Sequence, residues 1–239
     1  MNIKTAQMLN APIFPLLIKM SAPNTVAFFI QAIVVLTEVW LISKLGTTSL
    51  AAVALAFPVI MLTQQMAFGA LGGAISSSIA RSLGAGQKER AEKLLWHSLF
   101  IAACGYLLFL VIFLVAGESI LKILGGKSTL LEESLMYCMI FLTGAIFIWL
   151  SGTLSATLRG MGNMRFPALL IMLGSVIQVF LAGGLILGWF GLPKLGIVGA
   201  PLSAITSGSF MSFVMLLKLS QSNSPVQLKF SRLTFQKDL

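Results

Sequence analysis

Charged residues divide this chain into six long apolar runs. The runs are residues 20–43, 45–80, 94–117, 134–158, 166–193 and 195–217. Each run is longer than the roughly 20 residues that an α-helix needs to cross the hydrocarbon core of a bilayer. The pattern predicts an all-α integral membrane protein, a bundle of six transmembrane helices. We place the spans at about 20–43, 47–80, 94–117, 134–158, 166–190 and 195–218.

The second run is long for one span, yet too short for two spans and a turn. We expect one tilted or bent helix, with Pro58 as the cause of the bend because proline removes a backbone hydrogen bond. Glycines recur four residues apart at Gly69 and Gly73, and again at Gly184 and Gly188. This spacing predicts close helix–helix contacts, since small residues let two backbones approach in lipid.

Residues 1–219 are predicted to form one six-span lobe. Residues 220–239 are polar, with several Ser, Asn and Gln. This composition is typical of a solvated segment or a linker. We therefore expect a tail outside the membrane.

Composition supports the membrane assignment. The chain is 57% hydrophobic and only 10% charged, whereas a soluble domain has roughly 25% charged residues. Its net charge of +9 does not indicate a nucleic-acid partner, because the basic residues stand at the ends of apolar runs and form no single patch. The expected partner is the lipid bilayer.

The basic residues predict the orientation. If 1–19, 81–93, 159–165 and 218–239 share one side, that side carries 12 Lys and Arg, and the other side carries Lys44, Lys122, Lys127 and Lys194. Cytoplasmic loops are the ones enriched in Lys and Arg. We expect a multi-pass protein of the plasma (inner) membrane with both termini in the cytoplasm.

Glu38 is the one acidic residue inside a long apolar run. A carboxylate at membrane depth costs roughly 2.5–3.5 kcal/mol on insertion scales and by default marks an ion or substrate path. Glu38 is six residues from Lys44, or about 9 Å along a helix. That depth leaves an alternative open, in which Glu38 extends to the outer interface and pairs with Lys44.

A few other polar side chains are predicted at membrane depth. Gln31 is two turns from Glu38 on the same helix face. If the helix faces converge, these side chains enclose a polar pocket with one titratable group, although hydrogen bonding between helices is an equally good role for the glutamines. The predicted substrate cavity comprises Gln31, Thr37, Gln64, Gln178 and Thr206.

The sequence does not favour an enzyme. It has one His, two Cys in different predicted spans and one buried acid, too few for a metal cluster or a nucleophile–base pair. We expect no catalytic residue, no bound cofactor and no metal site, apart from Na⁺ as a candidate ligand of Glu38.

Three stretches together resemble the multidrug and toxic compound extrusion (MATE) family of secondary transporters. They are LGTTSLAAVALAFPV at 45–59, SSSIARSLGAGQKERAEKL at 76–94, and the pair TLRGMGNMRFPALL at 157–170 with GLPKLGIVGAPLSAITS at 191–207. The resemblance extends over residues 12–218. It implies two six-helix lobes around a central cavity, of which this chain holds the amino-terminal lobe, with 220–239 as a cytoplasmic tail or a truncated inter-lobe linker.

The resemblance also implies a function: export of cationic or amphipathic small molecules in exchange for H⁺ or Na⁺. An acidic residue late in the first helix couples ion to substrate in this family, and Glu38 has that position. Some members carry an Asn and an Asp four residues apart in the fifth helix. Here the matching positions are Gln178 and Ala182, so an acid-pair proton site is not implied.

The hypothesis is competition for one carboxylate. Burial disfavours the charged form of the carboxylate and makes it easier to protonate. A bound proton or sodium ion neutralises Glu38 and thereby weakens its hold on a cationic substrate. A second lobe or a homodimer would complete the cavity. Two alternatives stay open: a non-transporting fragment or assembly partner, and a related lipid-precursor flippase. The flippase is disfavoured because the six apolar runs contain no Lys or Arg for phosphate groups.

Overall fold

In a computed structural model, the chain forms six long helices joined by short turns. The structure describes residues 12–221 and residue 226. In that part of the chain all six helices are long and apolar enough to cross a membrane, which confirms the predicted fold class. The helices are α1 Ile13–Ser43, α2 Thr47–Gly84, α3 Lys88–Ile123, α4 Ser128–Gly160, α5 Arg165–Leu187 and α6 Gly196–Ser220.

Two predictions lie partly outside the described residues. The tail at 220–239 is described only at 220, 221 and 226. Of residues 1–19, which the charge pattern assigns to the cytoplasmic side, residues 12–19 are described, and α1 already begins at Ile13, with its most apolar part at Ser21–Ser43.

The helices extend beyond the apolar runs from which they were predicted. Helix α3 covers Lys88–Ile123 although its run is 94–117, and α4 begins at Ser128 although its run begins at 134. Charged residues end a hydrophobic run but not a helix, because they form ion pairs on the helix surface. Glu118 and Lys122 make such an i,i+4 pair at 2.6 Å in the last turns of α3.

Helix α2 changes its hydrogen-bonding pattern near its middle. Pro58, which lacks a backbone N–H, lies inside the α-helical segment Thr47–Gln64. The helix then changes to a π-helical turn at Gln65–Ala70 before α-helix resumes at Leu71–Gly84. A π-helical turn widens the helix locally and is a recognised feature of functional sites.

Helix α4 is the centre of the bundle. It packs against α2, α3 and α6, while α1 packs mainly against α5. Half of the most apolar stretch of α4 is buried, compared with 11% for α3. Trp149 on α4 is 1% exposed and packs against Phe109 of α3, with ring centroids 5.8 Å apart and the rings tilted by 51°. Among the six described helices, α4 therefore differs from the others in how much of it is buried, although its composition is similar.

The outer surface is apolar, as a lipid-facing surface must be. Large hydrophobic side chains point outward along several helices, among them Phe29, Leu108, Val115 and Phe180, with Val115 84% exposed. An exterior of this kind is stable in hydrocarbon but would be an aggregation surface in water.

The predicted glycine contacts were wrong for Gly69, Gly73 and Gly188, and the nearest neighbours of Gly184 are Leu192 and Trp189 in the turn after α5, not another membrane helix. A Cβ added at Gly69 or Gly73 meets no atom within 4 Å, and Gly188 is the left-handed cap of α5, with φ +80°. The close approach of α2 to α4 instead depends on two glycines of α4. A Cβ at Gly152 would lie 3.3 Å from the Ala67 carbonyl oxygen, and one at Gly160 only 2.7 Å from the Ser76 carbonyl oxygen.

This packing predicts opposite effects of two glycine-to-alanine substitutions. Gly160→Ala should destabilise the bundle by about 1–3 kcal/mol, because the new methyl group overlaps backbone. Gly73→Ala is the matched control. It adds the same methyl group in open space and should be neutral or stabilise by up to about 1 kcal/mol through helix propensity. Thermal unfolding of both variants in detergent measures the difference, and equal midpoints would contradict the packing role of Gly160.

Candidate functional site

The Glu38 carboxylate lies at the meeting point of α1, α5 and α6. Gln178 of α5 donates a hydrogen bond from Nε2 to Glu38 Oε1 at 2.8 Å. Ser203 of α6 places its Oγ 3.5 Å from the same oxygen. Glu38 and Gln178 are half-buried, and Ser203 is fully buried. An acid in an apolar bundle thus has polar partners from two other helices, as the cost of burying a carboxylate requires.

Ser203 is a weaker donor to Glu38 than the distance alone suggests. Its hydroxyl also donates to the Ala200 carbonyl oxygen at 2.7 Å. A hydroxyl has a single hydrogen but two lone pairs, so the shorter bond takes the hydrogen. The Ser203 oxygen then presents lone pairs to Glu38, and it can accept a hydrogen bond from a protonated carboxyl or offer an oxygen to a cation.

All three side chains lie near the end of the bundle that contains Lys44, which we call the Lys44 end. Glu38 is five residues before the end of α1, Gln178 is nine before the end of α5, and Ser203 is seven after the start of α6. At about 1.5 Å per residue, these depths are roughly 8–14 Å. The opposite end, with the turn at 84–88, we call the Arg81 end.

A second polar contact joins the same two helices deeper in the bundle. Ser175 of α5 lies with its Oγ 3.5 Å from Gln31 Oε1 of α1, a long hydrogen bond. Gln31 and Glu38 are on one face of α1, and Ser175 and Gln178 are one turn apart on α5. The α1–α5 interface therefore carries a short polar stripe.

The structure does not bring the other three predicted residues to Glu38. Gln64 is 17 residues from the start of α2 at the Lys44 end, which places it roughly 18 Å deeper than Glu38. Thr37 and Thr206 each donate at 2.8 Å to a carbonyl oxygen of their own helix, Ile33 and Leu202 respectively. Of the five predicted residues, Gln178 of α5 contacts Glu38 directly, and Gln31 of α1 contacts Ser175 in the same α1–α5 interface.

Sequence reasoning missed Ser203 and Ser175. Serine is common in the interior of this bundle, where Ser134, Ser151, Ser207 and Ser212 are also buried. Most of these hydroxyls bond backbone carbonyl oxygens, as in Ser212 to Phe147 and Ser207 to Gly174, both at 2.7 Å. Nothing in the sequence marks which serine faces the acid.

The structure pairs Lys44 with an aromatic ring, not with Glu38. The Lys44 Nζ lies 5.2 Å from the centroid of the Trp40 ring, a cation–π distance. Trp40 in turn packs against Trp189, with centroids 6.4 Å apart. The geometry does not favour the alternative in which Glu38 extends outward to meet Lys44.

Among residues 12–221 and 226, no three His, Cys, Asp or Glu side chains are grouped to hold a metal ion. Glu38 Oε1 and Ser203 Oγ, 3.5 Å apart, are oxygen atoms, the ligand type that hard cations prefer.

A double-mutant cycle tests the Gln178–Glu38 hydrogen bond. We expect the substitutions Glu38→Leu and Gln178→Leu to be coupled by about 1.5–3 kcal/mol in unfolding free energy, the range for hydrogen bonds to charged groups. The control cycle, Glu38→Leu with Thr206→Val, should show additivity within about 0.5 kcal/mol, since Thr206 bonds only its own helix in the described structure. Additivity in both cycles would show that the bond contributes nothing.

Comparison with known proteins gives a consistent picture. The MatE family model matches residues 23–182 of this chain. A protein named FAD transporter from Shewanella oneidensis is 28% identical over 215 residues, 88% of this chain and 47% of the relative. A probable multidrug resistance protein NorM from Thermotoga maritima is 26% identical over 196 residues, 80% of this chain and 41% of the relative.

Solved structures show the same similarity in three dimensions. The outward-facing conformation of a multidrug resistance MATE family transporter of the MOP superfamily superposes with a TM-score of 0.88 at 28% identity. That match covers 99% of this chain and 52% of the solved one. This chain therefore spans about half the length of the relatives that it matches.

Proposed function

This chain belongs to the MatE (multidrug and toxic compound extrusion) family, and we propose that it forms a six-helix lobe of a secondary transporter that exports small organic cations in exchange for protons or sodium ions. The observation that carries this proposal is the Glu38 carboxylate, held inside an apolar bundle by Gln178. An acid kept at membrane depth, where it costs free energy, is retained for function by default.

The proposed mechanism is exchange at a single anionic site. With Glu38 charged, the site attracts a cation, and Gln178 Nε2 fixes the orientation of the carboxylate. A proton on Glu38 removes the charge, and its new O–H can donate to the Ser203 oxygen 3.5 Å away. A sodium ion would instead take the same two oxygens as ligands. Either ion weakens the attraction for the organic cation, so ion entry is coupled to substrate release.

The substrate class has a second candidate. One relative is named FAD transporter, and FAD carries phosphates that are anionic at neutral pH. A lone carboxylate at the site favours cations over such an anion by simple electrostatics. A flippase for phosphate-linked lipids meets the same objection.

The other wall of the cavity is proposed to come from a second six-helix unit. This chain corresponds to about half of a typical relative, and the Glu38 site lies on one bundle. The second unit is either a further lobe or another copy of this chain. The alternative is that this chain is an assembly partner that does not transport. Transport by this chain would exclude that alternative.

Charge distribution supports a plasma (inner) membrane orientation with both termini in the cytoplasm. In that orientation the Arg81 end faces the cytoplasm and the Lys44 end faces outward. The Glu38 site then lies in the outer half of the membrane, accessible to external protons or sodium ions when the bundle opens outward.

Removing the charge at Glu38 tests the mechanism. Purified wild-type chain should bind tetraphenylphosphonium, and protons or Na⁺ should displace it. Glu38→Gln should bind the cation about tenfold or more weakly, because it loses one charge-assisted contact, and its remaining binding should not respond to Na⁺ or pH. Glu118→Gln is the matched control, since this exposed acid pairs with Lys122 outside the site.

Efflux completes the test. Proteoliposomes that contain the chain should export ethidium, and not FAD, under an imposed proton or sodium gradient, with Glu38→Gln at background and Glu118→Gln unimpaired. FAD export would replace the cation assignment, and efflux by Glu38→Gln equal to wild type would refute the coupling role. Cation binding without efflux would show that the chain does not transport by itself. The binding experiment would still test whether protons or Na⁺ compete with the organic cation.

Cysteine labelling tests the orientation. In a Cys104→Ala, Cys138→Ala background, one cysteine is introduced at Ala85 and another, in a separate variant, at Lys194. In intact spheroplasts a membrane-impermeant maleimide should label Lys194→Cys but not Ala85→Cys, and lysis should expose both. The reverse pattern would place the termini outside.

A further inference from the structure

A cavity of about 700 Å³ lies between the second half of α2 and the first half of α3. It is at the Arg81 end, and none of the residues of the Glu38 site lines it. The lining residues follow the helices from the 84–88 turn to Leu71 on α2 and Ile101 on α3, 13 residues along each helix. That distance is roughly 20 Å, or about two thirds of the hydrocarbon core of a bilayer.

One end of the cavity is polar and cationic. Arg81 and Arg90 both line it and are exposed at its mouth, together with Gln87. Arg81 donates to Ser78 Oγ at 3.5 Å and Arg90 to Gln87 Oε1 at 3.3 Å, so each guanidinium is oriented along its own helix. Each of these bonds uses one of the five N–H donors of arginine. The described lining residues include no acid.

The other end of the cavity is apolar. Leu71, Ala74, Ile75 and Ile101 line it at membrane depth. Ala74 and Ile101 are exposed, so this end is open laterally to the hydrocarbon and not only to the water at the mouth. The cavity is therefore cationic at the membrane surface and apolar at membrane depth. A phospholipid has the matching order, with its phosphate at the surface and its acyl chains below.

We propose that this cavity binds one phospholipid with an anionic headgroup, its phosphate at Arg81 and Arg90 and an acyl chain along Leu71, Ala74 and Ile101. Arginine forks match the geometry of phosphate oxygens and form charge-assisted hydrogen bonds with them. Basic pockets between membrane helices on the cytoplasmic side are typical sites for anionic lipid headgroups. A free phosphate would need only the polar end, so the apolar half favours a lipid.

The consequence of such binding concerns α2. The apolar end of the cavity begins at Leu71, the residue directly after the π-helical turn at Gln65–Ala70. A lipid along this wall would pack against the α-helical half of α2 and support it beside the point where the helix is irregular. The site is separate from the Glu38 site, so its test does not depend on transport.

The test measures lipid binding by the full chain. Native mass spectrometry of the detergent-purified protein counts bound phosphatidylglycerol and phosphatidylcholine, and thermal unfolding reports stabilisation by each lipid or by inorganic phosphate. We expect phosphatidylglycerol to bind and stabilise more than phosphatidylcholine, with no effect of inorganic phosphate. The double variant Arg81→Gln, Arg90→Gln should bind phosphatidylglycerol on the order of tenfold more weakly.

Two further variants separate the cavity from general surface charge. Arg165→Gln with Lys218→Gln removes the same charge at the same end of the bundle, on α5 and α6, and should leave phosphatidylglycerol binding as in wild type. Ala74→Phe fills the apolar end and keeps both arginines, and it should also weaken lipid binding. A photoactivatable phosphatidylglycerol should crosslink wild type within residues 71–101, a result that needs no variant.

Three results would overturn the proposal. One is equal phosphatidylglycerol binding by wild type and by the Arg81, Arg90 double variant. Another is an equal loss in the Arg165, Lys218 control, which would indicate diffuse surface attraction. The third is stabilisation by inorganic phosphate that matches the lipid, with Ala74→Phe unaffected, which would indicate a site for free anions.

Discussion

The hydrogen bond from Gln178 Nε2 to Glu38 Oε1 joins α1 to α5 within an apolar bundle. In hydrocarbon a carboxylate without partners is far less stable than in water, so the bundle must provide donors where Glu38 enters it. Gln178 provides one, and the Ser203 oxygen is placed to accept a hydrogen bond from the carboxyl when Glu38 is protonated. The contacts that stabilise the carboxylate also differ between its two protonation states: the charged form accepts from Gln178, and the protonated form can also donate to Ser203.

The remainder of the bundle holds these helices in place around α4. Gly152 and Gly160 let the backbone of α4 pack directly against backbone carbonyl oxygens of α2. Ser212 of α6 donates a hydrogen bond to the Phe147 carbonyl oxygen of α4. In a membrane, helices associate through such close packing and polar contacts because lipid supplies no hydrophobic drive. The position of Ser203 on α6 thus depends on contacts made far from Glu38.

The two ends of the bundle differ in chemistry. The Lys44 end contains the half-buried Glu38 carboxylate with its amide donor Gln178, an arrangement suited to a cation. The Arg81 end contains a cavity with two guanidinium groups and an apolar extension, suited to an anionic amphiphile. The proposed lipid site lies between α2 and α3, and the proposed exchange site lies between α1, α5 and α6.

The sequence by itself determined the six-span architecture and singled out Glu38, because apolar length and an isolated intramembrane acid are local properties that each helix carries alone. It also identified Gln178 as a polar residue at membrane depth. Tertiary structure alone decided that Gln178 and Ser203 meet Glu38, that Gln64 lies too deep to do so, and that α4 glycines and not Gly69 and Gly73 make the close contact. The physical reason is that helix rotation and depth are set by packing between helices, and six helices of nearly uniform hydrophobicity carry little information on which face turns inward.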